Sequence, residues 1–407
     1  MTTKSSVTRL AGLAVAATVG LAATAGLHTP AAAETIKIGE LNSYAKFAAF
    51  TVPYRNGWQL ALDEVNAAGG VMGKQLEIVS RDDGGTTGDA VRVAEELVSR
   101  EGVSFIFGTF LSNTGLAVAD FANQNKTLFI AAEPLSDALT MEKGNKYTFR
   151  MRPNTYMQTA MLVEQAKDSG IKRWAIVAPN YEYGQSAGAS FKQLIAEAIP
   201  GAEIVAEQYP ALGKIDAGAT VAAIDQAKPD GIFNATFGGD QAKFVREGNT
   251  RGLFEGRTVL SLLTGEPEWM MVLGGEAPED WITTGYPWEQ IELPAHKAFV
   301  DAYQKKFNDN PRLGSFLGYT CIYTIKAAIE KAGGVETDKL IAALEGLTVE
   351  TVAGPMTMRA SDHQSTMGAW VGLTTLKDGK GAMKDWFYAD GAKYMHSEEE
   401  VMKARPK

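Results

Sequence analysis

Apolar and polar positions along this chain switch repeatedly between a period of two and a period of 3.6. Ile36-Lys37-Ile38-Gly39-Glu40-Leu41 predicts a short strand. A helix follows over 54–67, with Trp58, Ala61, Leu62 and Val65 on one face. Asn66 to Gly73 carries three glycines and ends it in a turn. Leu76-Glu77-Ile78-Val79 predicts a second strand, 88–101 a second helix facing inward through Ala90, Val93, Ala94 and Leu97, and Val103 to Gly108 a third strand. A helix through Leu116, Ala119 and Phe121 comes next. The same grammar restarts at Arg173. Trp174 to Val177 is a strand, 184–198 a helix, Glu203 to Val205 a strand, 217–227 a helix and Gly231 to Ala235 a strand. Strand alternating with helix implies parallel sheets covered on both faces. Two such runs predict an α/β protein of two doubly wound lobes with a groove between them. Helices over 294–308 and 317–333 and a strand-rich end from Val352 follow, and periodicity does not assign them to either lobe.

The first residues follow a different pattern. Lys4 and Arg9 precede an apolar run from Leu10 to Leu27, and Ala31-Ala32-Ala33 closes it. That is the layout of a cleaved export signal over residues 1–33. No cysteine lies near the cleavage point, so a lipid anchor has no attachment atom, and the expected location is the periplasm. The single cysteine, Cys321, excludes an intrachain disulfide. The net charge is −9, and two units more negative without the leader, which argues against a nucleic-acid or anionic-membrane partner.

Catalytic and cofactor motifs are weak. Gly184-Gln185-Ser186-Ala187-Gly188 fits the G-x-S-x-G pattern, but Pro179 to Tyr183 separates Ser186 from the preceding strand, where a nucleophile elbow needs none. His296, His363 and His396 lack metal-ligand spacing, so no metal site and no cofactor is expected. Gly69 to Lys74 lacks the first glycine and the final hydroxyl of a phosphate loop. Asp82-Asp83 reads as a turn or helix cap.

Gly108 to Thr114 leaves a strand end and enters a helix. Unpaired N–H groups there, with the hydroxyls of Ser112 and Thr114 and the amide of Asn113, suit a carboxylate. Plain capping by Ser112 or Asn113 accounts for the same residues equally well. Tyr44, Phe47, Phe50, Phe110, Tyr181, Tyr183, Phe237, Trp269, Tyr286 and Trp288 all fall in loops at predicted strand ends. Converging on one cleft, they would form an apolar pocket with few polar anchors.

The run from Asn66 to Val79 (Asn-Ala-Ala-Gly-Gly-Val-Met-Gly-Lys-Gln-Leu-Glu-Ile-Val), followed by Asp82-Asp83, resembles the leucine/isoleucine/valine-binding protein family, the type I solute-binding proteins of ABC importers. Tyr147-Thr148-Phe149-Arg150, Tyr183-Gly184, Gly318-Tyr319 and Gly354-Pro355 keep the family's order over nearly the whole chain. The resemblance implies a three-crossing hinge, with passages near 150–155, 284–290 and 351–356. Lobe 1 is then 34–152 plus 287–352, and lobe 2 is 153–286 plus 353–407. It also implies a monomer that closes on a small ligand and docks onto an inner-membrane permease, without chemistry of its own. Ser112 falls on the family's carboxylate-binding serine, Asn113 beside it, and Glu133 and Leu135 where the next loop meets ammonium and carboxylate. Phe50, Tyr183, Phe237, Phe316 and Tyr319 match aromatic positions. Three hydroxyls common in the family are missing at Leu135, Phe50 and Phe237. The acid that pairs with an amino acid's ammonium belongs near 262–266, where Leu262 or Leu263 stands and Glu266 is reached by a small shift.

The resulting expectation is a periplasmic binding component that holds a small carboxylate through Ser112, Asn113 and Thr114. Phe47, Phe50, Phe110, Phe237 and Tyr319 wall its apolar side, with Leu135 and Tyr183 alongside. If Glu133 or Glu266 faces the cleft, an amino acid is favoured. If neither does, an aromatic acid without an amine fits better, and the lost hydroxyls tip the balance that way. A ligand sensor of the same fold, presenting its occupied form to a membrane receptor, is the alternative.

Overall fold

The computed structural model describes residues 35–406. The export-signal expectation for 1–33 therefore lies outside the described residues. Strand β1 (Thr35–Asn42), helix α1 (Ala48–Ala67), β2 (Gln75–Asp82), α2 (Thr87–Ser99), β3 (Ile106–Gly108), α3 (Ser112–Asn125), β4 (Phe129–Ala131) and β5 (Thr148–Arg150) build the first half. Their sheet has the order β2-β1-β3-β4-β5, parallel throughout. The second half continues with α4 (Thr155–Ala166), β6 (Arg173–Val177), α5 (Glu182–Ala198), β7 (Glu203–Gln208), α6 (Ala217–Gln226) and β8 (Gly231–Asn234). It ends with α7 (Gly238–Thr250), β9 (Thr258–Gly265), α8 (Pro267–Leu273) and β10 (Ile282–Gly285).

The chain then returns to the first sheet with α9 (Pro294–Phe307), α10 (Leu313–Ala332) and α11 (Thr337–Leu344). Helices α1 and α10 run against each other, and Gly57 and Gly318 permit it. A Cβ on Gly57 would lie 2.0 Å from the Ser315 carbonyl oxygen, and one on Gly318 2.1 Å from that of Tyr54. A small ribbon, β11 (Thr348–Thr351) with β12 (Gly354–Thr357), rests on this side. Then β13 (Ala369–Lys377) and β14 (Lys380–Ala389) add to the second sheet as antiparallel edge strands, giving β14-β13-β10-β9-β8-β6-β7, and α12 (Glu398–Ala404) closes the chain. The third passage between sheets thus runs over 358–368, later than the resemblance implied. It is tied to the first passage, because Gln364 bonds the Arg150 guanidinium and the Arg152 carbonyl.

Each sheet has apolar clusters on its faces. Ile38, Phe107 and Phe149 meet α1 and α10 on one side of the first sheet, and Leu41, Ile106 and Phe129 meet α2 and α3 on the other. In the second, Trp174, Phe191 and Phe233 lie on one face, and Val177, Ile232 and Phe244 on the other. The two sheets form two lobes of mixed α/β structure. Among the described residues no helix is long and apolar enough to cross a membrane.

Phe233 is fully buried and stacked on Phe191 at 4.3 Å between ring centres. Phe233→Ala should lower unfolding free energy by about 3–5 kcal/mol, measured by urea denaturation.

Candidate functional site

In a parallel sheet every strand delivers its following loop to the same edge, and ligands of open α/β folds sit there. Here that edge of each sheet meets the other. One cavity lies at the meeting, walled from both sheets. The first lobe supplies Phe50 past β1, Phe110 and Ser112 past β3, Glu133 and Leu135 past β4, and Arg152 past β5. The second supplies Tyr181 and Tyr183 past β6, Phe237 past β8, and Leu263 and Glu266 at and past the end of β9. Two of the delivering loops are backbone-strained. Thr109 and Leu263 hold φ of 61° and 66°, which non-glycine residues rarely adopt.

Phe237 is the hub of an aromatic box. Its ring centre lies 6.1 Å from Phe50, 6.3 Å from Phe110, 6.2 Å from Tyr181 and 5.9 Å from Tyr183. Phe47 stands 5.3 Å from Phe110, and Trp269 stands 4.4 Å from Phe50. These rings come from both lobes, so one apolar cluster spans the groove. The Tyr183 hydroxyl and the Trp269 indole N–H are buried without a hydrogen-bond partner.

Ser112 is the first residue of α3, whose N-cap Leu111 offers no side-chain oxygen to the helix amides. Its Oγ accepts from the amides of Leu135 and Ser136, both at 3.1 Å. Its own proton is therefore left to donate elsewhere. The same 135–137 loop latches the lobes together. Ser136 Oγ donates to Glu182 at 2.6 Å, and Asp137 accepts from Ser190 at 2.8 Å and from Ser186 at 3.2 Å. Ser186 thus serves an interlobe contact in the second turn of α5, not a nucleophile elbow.

The charged groups are sealed in. Arg152 and Glu266, 5% and 4% exposed, pair at 2.5 Å. Glu133 is 3% exposed and accepts from Asn42 Nδ2 at 3.1 Å. Burial pushes the Glu133 carboxyl up to about 8, against the opposing pull of Asn42 and Arg152 and with help from Glu268 and Glu266. Burial also raises Glu266, while Arg152 draws it back. Among the described residues no group of His, Cys, Asp and Glu could hold a metal ion.

The structure brings together Phe50, Phe110, Ser112, Glu133, Leu135, Tyr183, Phe237 and Glu266, with Phe47 at the edge of the box. Thr114 does not join them: its hydroxyl is buried and donates to the Leu111 carbonyl. Asn113, one residue along the helix from Ser112, is absent from the cavity wall, and its Oδ1 is buried without a partner. Tyr319 stands away, in the α1–α10 interface, donating to Glu64 at 2.6 Å. Tyr286 likewise faces Trp370 and His296. Both Glu133 and Glu266 line the cavity, the arrangement under which an amino acid is favoured, while the lost hydroxyls at Phe50, Leu135 and Phe237 lean toward an acid without an amine. Tyr181, one of the loop aromatics expected to converge, and Leu263, which stands at the family's acid position, also line the cavity, and Arg152 is the lining residue the sequence reading does not name. An arginine directly past a strand end, in a segment read as a lobe crossing, was the available signal for Arg152. Asp82 and Asp83 hold their turn by accepting from the Gly84 and Gly85 amides.

A family model described as "Periplasmic binding protein" matches residues 35–380. The chain is 27% identical over 328 residues to a leucine-, isoleucine-, valine-, threonine- and alanine-binding protein of Pseudomonas aeruginosa, covering 79% of this chain and 85% of that one. A solute-binding protein of an ABC transporter from Rhodopseudomonas palustris BisB5, in complex with 3,4-dihydroxybenzoic acid, superposes with a TM-score of 0.78 at 25% identity, over 88% of this chain and 98% of that one. A branched-chain amino acid transporter substrate-binding protein from Streptococcus pneumoniae, in complex with isoleucine, gives 0.75 at 25%, over 88% and 100%.

Two measurements probe this geometry. Ser112→Ala leaves two buried amides unpaired, so stability should drop by about 1–3 kcal/mol in chemical denaturation while the protein stays folded. Glu133 has a folded-state pKa above its unfolded value, so the folded state holds a proton that the unfolded chain releases. That stability is complete below about 4.5 and is lost as pH rises through about 8. In a urea series from pH 5 to pH 8, Glu133→Gln should flatten the decline.

Proposed function

The chain belongs to the periplasmic binding protein family, and on that premise we propose that it captures an apolar α-amino acid between its lobes and hands it to an ABC permease. Proteins of this family bind solutes and do not transform them. The observation that carries the amino-acid reading is Glu133. It is a buried carboxyl on the cavity wall whose neighbouring cation, Arg152, is already engaged by Glu266. An ammonium placed against Glu133 would supply the missing positive charge and bring it back to the ionised form. The free proton of Ser112 and the uncapped amides at the start of α3 suit the ligand's carboxylate. The aromatic box suits an apolar side chain.

Closure in this reading is a rotation about the passages at 151–154, 286–293 and 358–368, stabilised by the Ser136–Glu182 and Asp137–Ser190 bonds. Lobe 1 is then 35–150 with 294–357, and lobe 2 is 155–285 with 369–389. Export by the N-terminal segment into the periplasm completes the proposal. The relatives support a small carboxylate as ligand, since two of those above are described with branched-chain amino acids and one with 3,4-dihydroxybenzoic acid.

A thermal-shift screen of amino acids and aromatic acids tests it. A true ligand at one hundred times its Kd should add about 2.7 kcal/mol of stability. Calorimetric affinity for an amino acid should rise from pH 6 to pH 8, because the ammonium favours ionised Glu133 and binding expels its proton. A benzoate-type acid that binds while amino acids do not, with affinity falling over that range, would overturn the reading.

A further inference from the structure

Strand β1 ends in a buried amide. Asn42 is its last residue, and its backbone is fixed from the β2 side. It lies opposite Asp82 in the strand register, and its carbonyl accepts from the Asp83 amide at 2.9 Å and the Tyr44 amide at 3.0 Å. The side chain is fixed as well. Its Oδ1 accepts from the Ser43 amide at 2.9 Å, so its Nδ2 points the other way and donates to Glu133 Oε2 at 3.1 Å. A reversed amide would set an NH2 group against the Ser43 N–H, a donor against a donor. The end of β1 therefore dictates that Glu133 meets a donor.

Other groups act on Glu133 without bonding to it. Arg152 draws its carboxyl toward the charged form but is paired with Glu266, while Glu266 and Glu268 oppose ionisation. Glu40 of β1, Tyr54 of α1 and Cys321 of α10 are buried within its field. Glu40 is engaged elsewhere, accepting from Ser80 at 2.5 Å and Tyr44 at 2.9 Å, and burial keeps the Tyr54 hydroxyl and the Cys321 thiol neutral. Among the described residues Asn42 is the one hydrogen-bond partner of the Glu133 carboxyl, and it leaves Oε1 for the cavity that Glu133 lines. A neutral donor favours carboxylate over acid yet brings no charge, so the negative charge remains for a ligand to answer. An arginine or lysine at the same place would cancel that charge and stand in for a ligand's ammonium.

We propose that Asn42 is the positioning residue of the site: its amide holds Glu133 Oε2, leaves Oε1 to the ligand, and supports the carboxylate when an ammonium arrives. Asn42 does not touch the ligand and acts through Glu133. What this does for the ligand rests on the amino-acid reading above, whereas the hold on Glu133 is a property of the unliganded protein. Asn42 sets how readily the carboxyl gives up its proton, and so the pH range over which the site accepts a cationic group.

The test reads Glu133 directly and then through binding. Carbon NMR of glutamate carboxyls in ligand-free protein, with Glu133 assigned by its loss in Glu133→Gln, should place its wild-type midpoint at about 8. Asn42→Ala should raise that midpoint by about one pH unit. Asn42→Asp, nearly the same shape, serves if circular dichroism shows that the alanine variant fails to fold. Two carboxyls in that contact share a proton, so the last deprotonation again moves up. Calorimetry with leucine should show the rise of affinity with pH displaced by the same amount, about tenfold weaker than wild type at pH 7 and within about threefold at pH 9. An unmoved carboxyl midpoint, or a loss of affinity equal at every pH, marks a merely structural asparagine and overturns the proposal. A midpoint that moves, in a protein whose wild type binds neither leucine nor any other amino acid, upholds the hold on Glu133 and overturns the amino-acid reading.

Discussion

A parallel sheet cannot choose where its loops go: all leave by the carboxyl edge. The functional architecture follows from setting two such edges against each other. Residues 50, 110, 112, 133, 135 and 152 come from one edge, and 181, 183, 237, 263 and 266 from the other, and they meet in one cavity. Neither lobe encloses this space alone. The aromatic cluster around Phe237 is built from both, so its apolar surface is buried only when the edges are apposed.

That burial sets the electrostatics. Three carboxyls, Glu133, Glu266 and Glu268, are held almost without solvent beside one another; Arg152 answers Glu133 and Glu266, and Arg312 acts on Glu268 ahead of it. Desolvation raises each acid, and Arg152, paired with Glu266, leaves Glu133 with only the Asn42 amide in contact. The site is left short of positive charge, a shortage that a ligand's ammonium would relieve. The lobe contact is tied into the same arrangement. Ser112, on the cavity wall, fixes the 135–136 amides, and the next side chains, Ser136 and Asp137, reach across to α5. A change at Ser112 is therefore mechanically close to the closing surface.

The passages between lobes carry a further consequence. The Arg150 guanidinium and the Arg152 carbonyl bond to Gln364, so the first and third passages are joined by side chains as well as by proximity. The same Arg152 points its charge at Glu266 from the second lobe. Hinge and charge balance converge on a single short segment, 150–152.

The sequence by itself determined the alternation of strand and helix, because periods of 2 and 3.6 are local properties of the backbone. Family order then marked Ser112, Glu133 and Tyr183 at strand ends. It could not reveal β4 or β5, three-residue strands too short to show a period and held by pairing with distant neighbours. Only tertiary structure decided which loop residues face inward. Thr114 and Tyr319 carry hydroxyls as Ser112 does, yet local helix geometry turns one to the Leu111 carbonyl and α1 claims the other through Glu64. Arg152 became a site residue because the edge of the second sheet placed Glu266 opposite it. Burial, charge partners and cavity walls depend on contacts between residues far apart in the chain, and no local pattern encodes them.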